Sequence, residues 1–176
     1  MPSSSVRYRS QSLSHAVEPK TKADRLVIFD SRIQDLSTLK EGLQPEAQGH
    51  VLVPERDGIA QISALLCQQP TANLTLVAYG FSGGLQLGGS ILKLSNLEEY
   101  EHQLRGWFAG FGTAYLSLLS SSVAKGHTGS QFIAQLESIT GATVRASARP
   151  IGQGHWLTAT AKTIKPVVLN TYSAIL

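Results

Sequence analysis

Cysteine is nearly missing from this chain: Cys67 stands alone among 176 residues, so no intrachain disulfide can form. That usage suits a reducing compartment and predicts a cytoplasmic location. Charge is also scarce, at 15% of residues, which leaves much of the surface to Ser, Thr, Gln and Gly and suits a protein packed against neighbours. No apolar run reaches the roughly 18 residues a membrane span needs. The opening stretch MPSSSVRYRSQSLSHAVEPK has no apolar centre, which argues against a secretory signal; it reads as a disordered, basic, Ser-rich arm over residues 1–22, with a transit peptide as the alternative.

The net charge of +3 is confined to that arm. Of 15 basic and 12 acidic residues, four and one lie within 1–22, and the remaining 11 of each sign cancel. The rest of the chain therefore has no excess of positive charge for a phosphate backbone, and nucleic acid is not expected as a partner.

What is present is alternation of strand-like and helix-like segments. RLVIFD (25–30), HVLVPE (50–55), NLTLVAYG (73–80), TAYLSLLSS (113–121) and TVRASAR (143–149) have strand length and apolar character. Between them, 35–43 and 57–70 carry Leu and Ile at helical spacing behind Asp35 and Asp57. Residues 95–112 open with a Ser95–Glu98 capping box, and a helix over 128–141 is expected behind Thr128 and Gln131, stopped by Gly141. LQLGGSILKL (85–94) predicts a hairpin, and HWLTATAKT (155–163) an edge strand. Short links between alternating elements predict an α/β three-layer sandwich, its mostly parallel central sheet flanked by helices. Sites in such folds gather at the carboxyl ends of strands, here Asp30 and Ser31, Tyr79 to Ser82, and Ser120 to Ser122.

Gly80 to Gly84, G-F-S-G-G, fits the G-x-S-x-G pattern of a hydrolase nucleophile elbow centred on Ser82. An elbow requires a helix directly after the serine, and GLQLGGSIL is too glycine-rich and too regular in its alternation to form one. A turn is the expected state. Neither a P-loop nor a dinucleotide fingerprint occurs, so no cofactor is implied.

LVIFDSRIQDLSTLKEGL, RDGIAQISALL, LTLVAYGFSGGLQLGG and YLSLLSSSVAKGHTGSQFIAQLESITGATVRAS together resemble an uncharacterised bacterial domain family found near the N-terminus of very large cyanobacterial and marine bacterial proteins. Its members look like relatives of the caspase, clostripain and gingipain proteases, with a third strand ending in Ser-His-Gly and a fourth in Gly-Cys-Asn. The resemblance spans residues 25 to about 163 and implies a caspase-like core. By position the histidine falls on Tyr79 and the cysteine on Ser121. A thiolate needs an adjacent imidazole, and a serine opposite a phenol has no base near neutral pH. The resemblance thus implies a fold that has lost its dyad. His127 is read as a polar residue before a helix, and Cys67 as an inert core or boundary residue.

The expected division is a basic arm (1–22), an α/β domain (23–163) and an apolar extension (164–176). The expected function is a non-catalytic protein-binding, scaffold or linker subunit that attaches to a larger assembly, in the manner of phycobilisome linkers, through its tails and altered cleft. Candidate binding residues are Arg7, Tyr8 and Arg9 in the arm, Asp30 and Tyr79 in the cleft, and Val168 and Tyr172 in the extension. The rivals are a cryptic serine hydrolase using Ser121 or Ser82, and a decoy that holds peptide in the dead cleft.

Overall fold

The computed structural model describes residues 24–153, 155 and 162–176. Five parallel strands form the central sheet: β1 (Arg25–Phe29), β2 (Ala47–Val51), β3 (Asn73–Val77), β7 (Tyr115–Leu119) and β8 (Thr143–Arg145), in the spatial order β2-β1-β3-β7-β8. A strand in the middle of such a sheet is covered on both faces, so it reads as an unbroken apolar run rather than an alternating one. Leu26, Ile28, Leu74, Leu76, Leu116 and Leu118 pack on one side against α2 (Gly58–Gln68), α3 (Glu101–Gly106) and α4 (Gly126–Thr140). Val27, Phe29, Val77 and Leu119 face the other layer, which contains α1 (Leu36–Glu41) and α5 (Pro166–Thr171). Three layers result. A separate antiparallel sheet, β4 (Gly80–Phe81), β5 (Gly84–Leu87) and β6 (Ser90–Lys93), follows β3 and buries Leu85, Leu87 and Leu92 in the first cluster.

Several boundaries differ from expectation, each for a local reason. β2 runs over Ala47–Val51 instead of 50–55, because Arg25 of β1 pairs with Ala47 and sets the register; Val51 and Val53 are left exposed. Asp57 caps α2 as its position predicts, accepting N–H bonds from Ile59 (2.8 Å) and Ala60 (3.1 Å). Asp35 does not cap α1 in that way: it lies in the left-handed region at φ 50°, and its carboxylate takes the Thr38 hydroxyl at 2.6 Å.

The Ser95–Glu98 box does not form either. Asn96 instead accepts from Lys93 N–H and donates to Ile91 O, both at 2.8 Å, and the chain passes two 3-10 turns before α3 begins at Glu101. Such local side-chain bonds compete with a regular helix. Leu97, Leu104, Trp107 and Phe108 are buried as the apolar pattern requires, whereas Phe111 is exposed. Glu101 and Arg105 form an ion pair one turn apart. α4 begins two residues before Thr128, which provides no cap, and ends at Gly141, whose φ of 70° closes the helix. Of the edge strand expected at 155–163, residues 156–161 lie outside the described residues, and Thr163 lies in a turn.

The apolar extension could pack over its own domain or insert into a partner, and the structure shows the first: Ile164, Leu169, Tyr172 and Leu176 are buried in the second cluster with Phe29, Leu39 and Ile151. The approach is close because position 42 has no side chain: a β-carbon on Gly42 would stand 2.7 Å from Val168 Cγ1. Gln44 N–H to Thr163 O (2.9 Å) and Lys165 N–H to Gly42 O (2.7 Å) tie the segment beside α1. Without this segment α1 alone would cover this face of the sheet, and a buried parallel sheet needs both faces covered.

Candidate functional site

The carboxyl ends of β1, β3 and β7 converge, as the alternating pattern implies. At the end of β1, Asp30 is completely buried. Its carboxylate accepts from Gly88 N–H at 2.7 Å, Arg32 N–H at 3.0 Å, Arg32 Nε at 3.1 Å and Arg32 Nη2 at 3.3 Å. Arg32 Nη2 also donates to Gly88 O. The Asp-x-Arg unit thus clasps the β5–β6 turn from both sides, and it holds the small sheet against the large one. Asp30 has no lone pair left over to suggest a base facing substrate. Sequence reasoning placed Asp30 in the site but missed Arg32, although the i, i+2 spacing of opposite charges was visible.

At the end of β3 the chain leaves the sheet after Val77, and Tyr79 packs partly buried against the second cluster. Its hydroxyl accepts from Gln34 N–H at 3.3 Å, while Tyr172 donates from its own hydroxyl to Gln34 O at 2.8 Å. Two phenols therefore bracket the backbone of one residue, Gln34. Burial, reinforced by Tyr79 and Asp35 nearby, pushes the Tyr172 pKa up to about 12. Tyr172 is an interior residue of this domain and offers no free side chain to a partner. Val168 is half-buried on the same face. Arg7, Tyr8 and Arg9 lie outside the described residues.

At the end of β7, Ser121 is buried and its hydroxyl accepts from Ile151 N–H at 2.8 Å. Its own N–H donates to Leu176 O at 2.8 Å. No imidazole hydrogen-bonds to Ser121 among the described residues, and His127 is exposed at the start of α4. The ends of β3 and β7 touch: a β-carbon on Gly80 would lie 2.7 Å from both Ser120 Cβ and Ser121 O. Positions 79 and 121 are thus brought to one place, each with its hydroxyl engaged in a bond to a main-chain N–H. Ser120 and Ser31 each bury a hydroxyl with no hydrogen-bond partner.

Ser82 occupies the turn between β4 and β5, not a strand-to-helix elbow. It donates to Lys125 O at 2.6 Å, and Gly83 N–H donates to Val123 O at 3.0 Å, so the turn is pinned to the entry of α4. Gly83 itself requires φ of 75°. Cys67, expected in the core or at its boundary, is exposed. It lines a cavity of about 360 Å³ between α2 and α3, with Ser63, Leu66, His102, Trp107 and Phe111. Among the described residues no group of three His, Cys, Asp or Glu could hold a metal, and no helix is long and apolar enough to cross a membrane.

No curated protein and no solved structure matches this chain significantly. One family does, over residues 26–176, and that span takes in all five strands of the central sheet almost whole together with α5 and the C-terminal segment. The chain belongs to the family described as a domain of unknown function, DUF4347.

Proposed function

We propose that this chain is a non-catalytic protein-binding subunit: a degenerate caspase-like domain that serves a larger assembly as scaffold or linker and attaches through its basic arm. One observation carries the reading. The Ser121 hydroxyl is buried and accepts a main-chain N–H from Ile151, with no hydrogen bond to an imidazole among the described residues. A serine nucleophile needs a base to take its proton, and a buried alcohol without one is inert. The partner position, Tyr79, is likewise occupied in bonding Gln34. Ser82 is exposed, but its proton is directed to a carbonyl, which cannot act as a general base near neutral pH.

Attachment through the arm follows from charge. The arm carries the net positive charge of the chain, with Tyr8 set between Arg7 and Arg9, a combination suited to acidic or aromatic surfaces. The extension 164–176 supports its own domain, so the arm is the tail left for a partner. Two measurements test the reading. A fluorophosphonate probe should label neither Ser121 nor Ser82, and labelling lost on Ser121→Ala or Ser82→Ala would establish the hydrolase instead. Deleting residues 1–22 should release the chain from its native complex at low salt; full retention would refute attachment by the arm.

A further inference from the structure

Two backbone groups beyond the ends of the sheet grip residue 176, and a third residue pairs alongside. Ser121 N–H donates to Leu176 O at 2.8 Å, and Leu176 N–H donates to Ile151 O at 2.9 Å. Gly152 forms an antiparallel bridge with Ile175. Here glycine is required twice over: φ is 115°, and a β-carbon would lie 2.1 Å from Ala174 O. β7 stops at Leu119 and β8 at Arg145, so Ser121 and Ile151 are not committed to the sheet ladder through these groups. They present an N–H and a C=O spaced for an extended chain. The Leu176 side chain is 2% exposed, seated in the cluster that contains Leu119, Ile151 and Tyr172, while Ile175 points outward at 46%. A main-chain clasp combined with a pocket for alternate side chains is the arrangement by which sheets take up extended peptides.

We infer that the groove formed by Ser121, Ile151 and Gly152 is a receiving site for an extended, uncharged peptide that places a leucine in the Leu176 pocket, and that residues 174–176 occupy it as a tethered competitor. The groove supplies direction through its hydrogen bonds. It supplies selectivity through one aliphatic pocket, and the main chain of the bound segment can approach so closely only because position 152 is glycine. Tethering gives the chain's own segment an effective concentration in the millimolar range, so a peptide in solution is excluded until that segment is released. The inference rests on the non-catalytic reading only in that a captured peptide leaves the groove uncut.

The test uses full-length protein with Leu176→Asp, which places a charge in the apolar pocket and frees the segment. Binding of a fluorescein-labelled peptide with the sequence of residues 172–176, Tyr-Ser-Ala-Ile-Leu, is followed by anisotropy. Leu176→Asp should bind about 100-fold more tightly than the unaltered chain. Adding Gly152→Val to the same protein should abolish binding. Equal binding by all three, or none by folded Leu176→Asp, would overturn the inference while leaving the proposed function intact. Mass spectrometry of the recovered peptide reports separately: a cleaved peptide refutes the non-catalytic reading and spares the groove. If Leu176→Asp does not fold, hydrogen exchange on the unaltered chain decides. The Leu176 amide should exchange at least tenfold faster than the Leu118 amide inside β7, and equal protection would mean that the segment is a permanent part of the core.

Discussion

Removing either member of the Asp30–Arg32 pair should destabilise the protein, and the two losses should be unequal. The asymmetry lies in burial: the Asp30 side chain is fully buried, whereas that of Arg32 is 43% exposed. With Asp30→Ala, the guanidinium turns to water, and the main loss is the buried Gly88 N–H left without its 2.7 Å acceptor. An unsatisfied buried donor costs about 1–3 kcal/mol, with some packing loss added. With Arg32→Ala, a carboxylate is left in the interior with only Gly88 N–H and one main-chain N–H to hold it. Breaking a buried pair in that direction costs about 3–5 kcal/mol.

Urea unfolding at pH 7, with the slope unchanged, should therefore rank Arg32→Ala as the worse variant. The double variant should be less damaging than the two losses added together, since neither charge is then stranded. In a domain of this size each kcal/mol lowers Tm by about 2–4 °C, which puts Arg32→Ala roughly 6–20 °C below the parent. A finding that Arg32→Ala is no worse than Asp30→Ala at pH 7 would refute the argument, because it would mean that water reaches the carboxylate.

Other consequences are open to direct measurement. Asp57→Ala removes the acceptor for Ile59 and Ala60 N–H and should cost about 1 kcal/mol in urea unfolding, with Asp57→Asn close to neutral. The Tyr172 pKa, raised from 10.0 to about 12 in the folded state, favours the neutral phenol there. The unfolded chain loses that proton first, so this contribution to stability is intact below pH 10 and is lost as pH rises towards 12; Tyr172→Phe should flatten the decline. Cys67 is exposed, so one thiol per chain should react with Ellman's reagent without denaturant, and Cys67→Ser should abolish the signal.

The layered architecture was legible because its strands are short apolar runs and its helices carry strong local punctuation. RLVIF and LTLV are uninterrupted because both faces are covered, and Asp57 and Gly141 mark helix ends by side-chain and backbone chemistry that needs no tertiary help. The boundaries that failed depend on partners. β2 is an edge strand whose position comes from pairing with β1, and no property of HVLVPE encodes that register. Ser95 and Glu98 have the residue types of a cap, but Asn96 makes a tighter local bond to Lys93 and changes the geometry before a cap can form. Whether the extension 164–176 covers its own domain or a partner is not legible in sequence, because its apolar residues follow no clean period. They cover α1 and the face of Phe29, a fact of three-dimensional proximity across more than a hundred residues.

The site was legible in its location but not in its bonds. Strand ends placed Asp30, Tyr79 and Ser121 together, and the structure agrees that they belong to one end of the sheet. What the chain does with these groups was not visible from their types, because each side chain is satisfied by a residue distant in sequence. Asp30 takes Gly88 N–H, Tyr79 takes Gln34 N–H, and Ser121 takes Ile151 N–H. Every one of these contacts joins a strand end to a loop. Asp30, Tyr79 and Ser121 are thus held by the protein's own main chain, which is the reverse of what a reacting centre requires, while the buried Ser31 and Ser120 hydroxyls beside them have no partner. If the serine and tyrosine are structural in this way, Ser121→Ala should destabilise the fold by about 1–3 kcal/mol through the orphaned Ile151 N–H. A Ser121→Ala protein of undiminished stability would show instead that the hydroxyl is kept for another purpose.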